Sequence, residues 1–164
     1  MSKIFNLIAD WLIDRSKKTP YVHIKGVGGG DYMRRWWLVP YNKFGISARI
    51  HEILQSDDAR HYHDHPWWYI SIVLKGGYFE NTPVYDESGL YKGVSKVWKG
   101  PGSILFRKAK SWHFLSLDEG KPAYTLFICG RKTQSWGFLI RPDCKVYYKE
   151  LLRDNSTPAP EEHE

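Results

Sequence analysis

From Asp31 onward the chain runs in short segments rich in Val, Ile, Tyr, Trp and Phe. Turn-forming residues cut them at close intervals: Pro40, Asn42, Gly45, Gly76-Gly77, Gly89, Gly93, Gly100-Pro101-Gly102, Gly120 and Gly130. Short strands at regular spacing with turn signals between them predict a sandwich or barrel. The expected strands are 32–39, 46–54, 67–74, 92–98, 103–106, 112–117, 124–129 and 136–139, with a short helix or strand at 147–152. Composition agrees, since 8 Trp, 11 Tyr and 7 Phe make the chain 16% aromatic. These residues fit a pleated, half-buried surface better than they fit a helical bundle. With 42% hydrophobic and 26% charged residues, the chain can bury a core, and disordered, collagen-like and coiled-coil readings fail. Its 164 residues give room for one domain, and no internal repeat is present.

Before this region, Ile4, Phe5, Leu7, Ile8, Trp11 and Leu12 recur at three- and four-residue spacing, which predicts an amphipathic helix ending before Thr19-Pro20. Its stripe is expected to pack on a sheet or a second subunit. The run Gly-Val-Gly-Gly-Gly at 26–30 lacks the strand-then-helix context and the Gly-Lys-Ser/Thr ending of a phosphate loop, so it reads as a flexible connector. The expected organisation is thus a helix and connector over 1–30, a β domain over 31–153 and a disordered acidic tail over 154–164.

Against 18 Asp and Glu stand 24 Lys and Arg, a net charge of +6, and four of the acids (Asp154, Glu161, Glu162, Glu164) lie in the tail. The body is therefore more basic than the whole, which favours a small anionic partner bearing phosphate or carboxylate. Basic residues interleave with aromatics at Arg34-Arg35-Trp36-Trp37, but no oligonucleotide-binding motif accompanies them and nucleic acid is not the expected partner. Cys129 and Cys144 have no Cys-x-x-Cys spacing, so neither a disulfide framework nor a thiolate zinc site is indicated. The apolar stretch at 4–13, broken by Asn6 and Asp10, is too short for a membrane span and lacks a signal-peptide cleavage pattern. The expectation is a cytoplasmic protein without membrane contact.

The chemistry concentrates in His61-Tyr62-His63-Asp64-His65-Pro66-Trp67-Trp68. In a strand, side chains two apart share a face, so His63 and His65 project together, with His61 as a further candidate ligand. Two imidazoles on one face can hold Fe(II), Zn(II), Ni(II), Cu(II) or Mn(II) if a neighbouring strand supplies a third ligand. His113, in Trp112-His113-Phe114-Leu115 at the entry to an apolar strand, is the candidate. A His-x-His pair is also compatible with a solvated loop entry or a simple hydrogen-bonded pair.

These residues carry a resemblance to the cupins, whose motifs are Gly-x5-His-x-His-x3-4-Glu-x6-Gly and Gly-x5-Pro-x-Gly-x2-His-x3-Asn. The first aligns on His63 and His65 and closes on Gly76; the second aligns on Gly102 and reaches His113. Asp57 replaces the opening glycine, Lys108 and Lys110 replace Pro and Gly, Leu117 replaces Asn, and Tyr69 (or Ile70) occupies the place of the acidic ligand. Loss of that acid with His-Asp-His retained is similar to the cysteine dioxygenase branch. The His-Asp-His-Pro-Trp string, Gly76-Gly77-Tyr78-x-Glu80, Gly102-Ser-Ile-Leu-Phe-Arg107 and Trp136-Gly137-Phe138 resemble small single-domain cupins of phages and bacteria, which implies a host cytoplasm if the chain is phage-encoded. The resemblance spans about 31–139 and implies an all-β, single-domain jelly-roll barrel. It further implies a divalent metal on His63, His65 and His113, Fe(II) above Zn(II), Ni(II) or Mn(II).

Three neutral ligands would leave a +2 centre suited to a small anionic substrate. Tyr69, Arg107 and Glu80 are the candidate substrate-binding residues: Tyr69 through its hydroxyl, Arg107 by gripping a carboxylate or phosphate or else by pairing with Glu80. Asp64 should point away from the ligands, to orient an imidazole, pair with a base or meet solvent. Two classes of function remain open. One is a metal enzyme, an iron dioxygenase or a Lewis-acid isomerase or lyase; the other is a non-catalytic cupin sequestering an anionic metabolite or nucleotide. A homodimer is expected from exposed strand edges and the N-terminal stripe.

Overall fold

A computed structural model of the protein describes residues 2–26, 29–57, 61–118, 120–141, 144–148 and 150. The predicted tail therefore lies outside the described residues. The molecule is all-β with one N-terminal helix, α1 (Lys3–Ser16), started by Ser2, whose side chain accepts a hydrogen bond from the Phe5 amide. Six strands form one sheet in the order β1-β2-β3-β10-β5-β8: β1 (Tyr21–Lys25), β2 (Asp31–Val39), β3 (Ser47–Ile53), β10 (Ala123–Cys129), β5 (Tyr69–Lys75) and β8 (Ile104–Arg107). Two three-stranded sheets complete the barrel. They are β12 (Cys144–Tyr147), β11 (Gly137–Arg141) and β4 (Tyr62–His63), and then β7 (Tyr91–Lys99), β6 (Tyr78–Tyr85) and β9 (Phe114–Leu117). An antiparallel bridge between His63 and His113 joins the two small sheets edge to edge.

All eight expected strands are present within one to two residues; β1, β4, β6 and β12 were not among them, and part of the element expected at 147–152 lies outside the described residues. β6 was hidden by Gly76-Gly77 and Pro83, which read as turn residues. Pro83 is tolerated because β9 pairs only with Tyr78 to Asn81, so beyond that point β6 has a single neighbour. β1 pairs with β2, and the Gly26 amide donates to the Gly30 carbonyl at 2.8 Å. The glycine run expected as a flexible connector thus stands between two paired strands. Gly76, the closing glycine of the first motif, has φ of 70°, and a Cβ there would lie 2.2 Å from the Pro122 carbonyl oxygen.

Both faces of the large sheet are covered. On the outer face, Ala9 and Ile13 of α1 pack against Trp36, Ile50 and Leu74, with Phe5 and Leu12 alongside. The buried stripe of the helix is therefore Phe5-Ala9-Leu12-Ile13, while Ile4, Leu7, Ile8 and Trp11 of the expected stripe face outward. A helix so rich in apolar residues carries two such stripes, and only one meets the sheet. On the inner face, alternate residues point into the barrel. One end is apolar, built from Ile24, Met33, Ile53, Val73, Tyr78, Leu105 and Ala123. Fully burying each aliphatic side chain there contributes about 1.5–3 kcal/mol. The other end holds Tyr69, Phe127, Cys129 and Trp67 together with polar side chains. The tryptophan pairs split as the alternation requires: Trp37 and Trp67 lie inside against Arg49, Trp36 lies under α1, and Trp68 meets Phe106 outside.

Candidate metal centre

The polar end is organised around three imidazoles. His63 closes β4, His65 follows two residues later, and His113 lies directly opposite His63 in the bridge. Directly opposed residues of an antiparallel pair project to one face, as do residues two apart on one chain, so backbone pairing alone delivers all three rings to one point. One ligand atom from each lies within 4.8 Å of the others. His61 stands outside this group, which among the described residues is the only cluster of three such side chains.

Two of the three rings are held from behind. The Nδ1 of His63 is 3.7 Å from an Asp57 carboxylate oxygen, and Asp57 is fixed by the Tyr32 hydroxyl and by the Leu115 amide at 2.6 Å. Asp57 stands where the cupin motif has glycine, so this departure supplies a carboxylate for orienting a ligand. The Nδ1 of His113 is 3.4 Å from Glu80, and Glu80 is clamped by Nε and Nη2 of Arg107. Carboxylates behind Nδ1 leave the Nε2 lone pairs free to converge. The Nε2 atoms of His65 and His113 are 2.9 Å apart. Two nitrogens each about 2.0–2.1 Å from one metal, at a right angle, would be separated by about 2.9 Å, so the donor set fits a divalent ion with cis imidazoles. No described carboxylate enters the group itself.

Burial sets the protonation states. It pushes the His63 imidazole down to about 4, with Asp57 pulling it partly back up. His65 is held well below its usual value by burial and by the neighbouring histidines. Both rings are thus neutral near pH 7, the form a metal requires. Burial would raise Glu80, but hydrogen bonds from His113 and Arg107 outweigh it and bring the carboxyl down to about 2. Tyr69 lies in the place of the missing acid, with its hydroxyl 3.2 Å from the Nε2 of His113. Burial, reinforced by the charge of Glu80, holds its phenol well above the ordinary value, so it keeps its proton.

Of the three candidate substrate-binding residues, Tyr69 and Glu80 reach the histidines directly. Arg107 reaches them through Glu80, with Nη1 on the Phe106 carbonyl. Asp64 does point away from the ligands, but not to solvent. It is 1% exposed and accepts from the Gly137 amide, the Gln134 side chain and Lys145. The pairing with a base is the alternative the structure shows, and it ties the histidine loop to β11 and β12.

Two residues missed in the sequence complete this end of the barrel. Arg49 and His51 project inward from β3, opposite Trp37 and Arg35 of β2. The Arg49 guanidinium is 4.4 Å from the Trp37 ring centroid and 5.2 Å from that of Trp67, and its Nη2 donates to Ser47 Oγ and Cys129 Sγ at 3.4 and 3.3 Å. Among the described residues its Nε has no partner, nor have His51 Nε2 and Trp67 Nε1. Burying an unpaired ion costs several kcal/mol, of which cation–π contacts return about 1–2 kcal/mol each. Phe127 of β10 is stacked by His51 from one neighbouring strand at 4.6 Å and by Tyr69 from the other at 4.7 Å. A separate dish on the outer face, lined by Trp68, Ile70 and Phe106, shares no residue with this site.

No protein-family model and no curated protein matches the sequence. Solved structures do match. A DMSP lyase structure (RdDddP and RnDddQII) superposes with TM-score 0.59 at 15% identity, covering 81% of this chain and 71% of that one. The cupin-2 domain protein Rru_A2000 from Rhodospirillum rubrum gives 0.55 at 16% identity, over 82% and 81% of the two chains. HppE in its Fe(II) form gives 0.52 at 13% identity, over 69% of this chain but 57% of that one, a little over half its length. The architecture is thus a single-domain cupin jelly roll. Within that class it is one whose facing strands bring together three histidines that could hold a metal. No described helix is long and apolar enough to cross a membrane.

Proposed function

We propose that the protein is a metal-dependent enzyme acting on a small anionic substrate, with Fe(II) on His63, His65 and His113 and dioxygen as co-substrate. The observation that carries this reading is the convergence of three imidazoles, two of them backed at Nδ1 by carboxylates, with no described carboxylate inside the group. His63, His65 and His113 would hold a divalent ion without an anionic ligand, and such an ion would supply a Lewis-acidic centre suited to an anionic chelating substrate. The Fe(II) form of HppE on the same fold supports iron. The DMSP lyase structure supports Lewis-acid elimination as the variant reaction class.

The chain's own residues have distinct tasks. Glu80 and Asp57 fix the His113 and His63 rings. Arg107 keeps Glu80 ionised and in place. Tyr69 presents a protonated phenol beside His113, positioned to donate a hydrogen bond to a substrate oxygen there. Phe127 and the tryptophans exclude water from the approach.

Metal analysis of protein purified without added metal tests the reading. Near-stoichiometric iron, lost in His63→Ala and His113→Ala, is the expected result. A metal-free wild type that folds normally and binds nucleotides or phosphosugars overturns it in favour of a sequestering module.

A further inference from the structure

We propose that Arg49 is the anchor for a carboxylate of the substrate, placing that group beside Phe127, which the His65 ring also approaches. The inference deepens the reading above by naming the substrate class: a small carboxylate long enough to reach from Arg49 to the metal-binding rings.

The argument begins with an unbalanced charge. Arg49 is 4% exposed, and among the described residues no Asp or Glu pairs with it. A buried guanidinium normally meets a carboxylate in a forked, doubly hydrogen-bonded contact. Arg107 shows this with Glu80 a short distance away, which also means that Arg107 has no free fork to offer. Arg49 instead has its Nε unpartnered, while its Nη2 makes only long contacts to a hydroxyl and a thiol.

The surroundings repeat the pattern. Trp67 Nε1, a pure donor, is buried without an acceptor, and its ring lies against the same guanidinium. His51, two residues along β3 and on the same face, has an unpartnered Nε2 and is held neutral by burial and by the charges of Arg35 and Arg49. Unsatisfied buried polar atoms are rare in folded proteins, and Arg49 Nε and Trp67 Nε1 are both donors that lack an acceptor among the described residues. One planar carboxylate can accept from the Arg49 edge and from the Trp67 indole together.

Position links Arg49 to the three histidines. The Arg49 guanidinium is 6.0 Å from the Phe127 centroid, and the His65 ring is 6.3 Å from it. A substrate lying along Phe127 therefore has its carboxylate on Arg49 and its reacting end at the histidines.

Acetate is the probe, added at constant ionic strength against chloride to wild type, Arg49→Met and Arg49→Lys, each both as purified and after metal stripping. Trp37 and Trp67 flank the guanidinium, so binding is read by tryptophan fluorescence and by thermal melting. The expected result is a saturable change in wild type, weakened at least about tenfold in both variants because neither keeps the fork. Acetate should raise the wild-type melting temperature alone. Without acetate, Arg49→Met should melt at or above wild type, since it removes an uncompensated buried charge. No response in wild type, equal responses in all three, or tighter binding of orthophosphate than of acetate overturns the assignment. So does an Arg49→Met variant that melts lower while wild type ignores acetate, because that marks a purely structural arginine. Acetate binding that survives in protein never found to hold metal would sink the metal reading and leave Arg49 standing, so the two failures are distinguishable.

Discussion

His63 and His113 exchange both of their backbone hydrogen bonds, His63 N to His113 O at 2.8 Å and His113 N to His63 O at 3.1 Å. The pair is the seam between two three-stranded sheets, so the same two residues that offer imidazoles also close the barrel wall. A metal there would bind across a backbone pairing that already exists, with little ordering left to do.

Glu80→Gln should uncouple ring orientation from folding. The amide keeps the shape but loses the charge that meets His113 and Arg107. Metal affinity is expected to fall about 10–100-fold. Competition against a chromophoric chelator measures it, and unchanged affinity would show that Glu80 serves Arg107 alone.

Asp64→Ala should be costly without touching the metal rings. It strands the Lys145 ammonium and leaves the Gly137 amide and Gln134 without their acceptor. A loss of about 3 kcal/mol is expected from chemical denaturation. A loss under about 1 kcal/mol would mean that water replaces the carboxylate readily.

Tyr69→Phe keeps the ring stacked on Phe127 and deletes only the hydroxyl beside His113. Metal content should match wild type, while turnover of any substrate found should fall by about 10- to 100-fold. Equal loss of metal and turnover would make Tyr69 a ligand instead.

Stability of the metal-free protein should decline in mild acid. His51 and His65 have folded pKa values well below 6.5, and His63 lies at about 4. The unfolded chain therefore takes up these protons first. Stability is full above pH 6.5 and falls below it by up to about 1.4 kcal/mol per pH unit for each histidine. The His63 contribution levels off near pH 4, where the Glu80 contribution begins to be lost, fading from about 4.5 down to about 2. Urea melts at pH 7.5 and 5 test this, and equal midpoints would contradict it.

Ile50→Ala should cost about 2–5 kcal/mol, since Ile50 is fully buried between β3 and α1. Loss of that size in thermal melts, without change in metal affinity, would confirm that the helix supports the sheet from outside.

The histidines were legible because strand alternation and motif spacing act through local geometry, and His63, His65 and Gly76 obey both. Arg49 and His51 were not, for a physical reason. In Ser47-Ala48-Arg49-Ile50-His51 the alternation suggests that Ile50 faces the core and the polar residues face water. The helix covers the outer face, so Ile50 is buried there and the polar set is free to line the interior. A chain pattern cannot tell which of two covered faces is the inside. Asp57 was visible only as a departure from a motif, because its partner His63 becomes its neighbour only in the fold.

The barrel's apolar end is sealed, with Val73 and Ala123 fully buried and Ile53 and Tyr78 nearly so. Among the histidines, His63 and His65 keep some exposure while His113 has almost none. Whatever reaches the three histidines would therefore come in past the His63 and His65 side and leave by the same route. A product bulkier than its substrate would then be the natural inhibitor of the next turnover, and kinetics with product present should show competition with substrate.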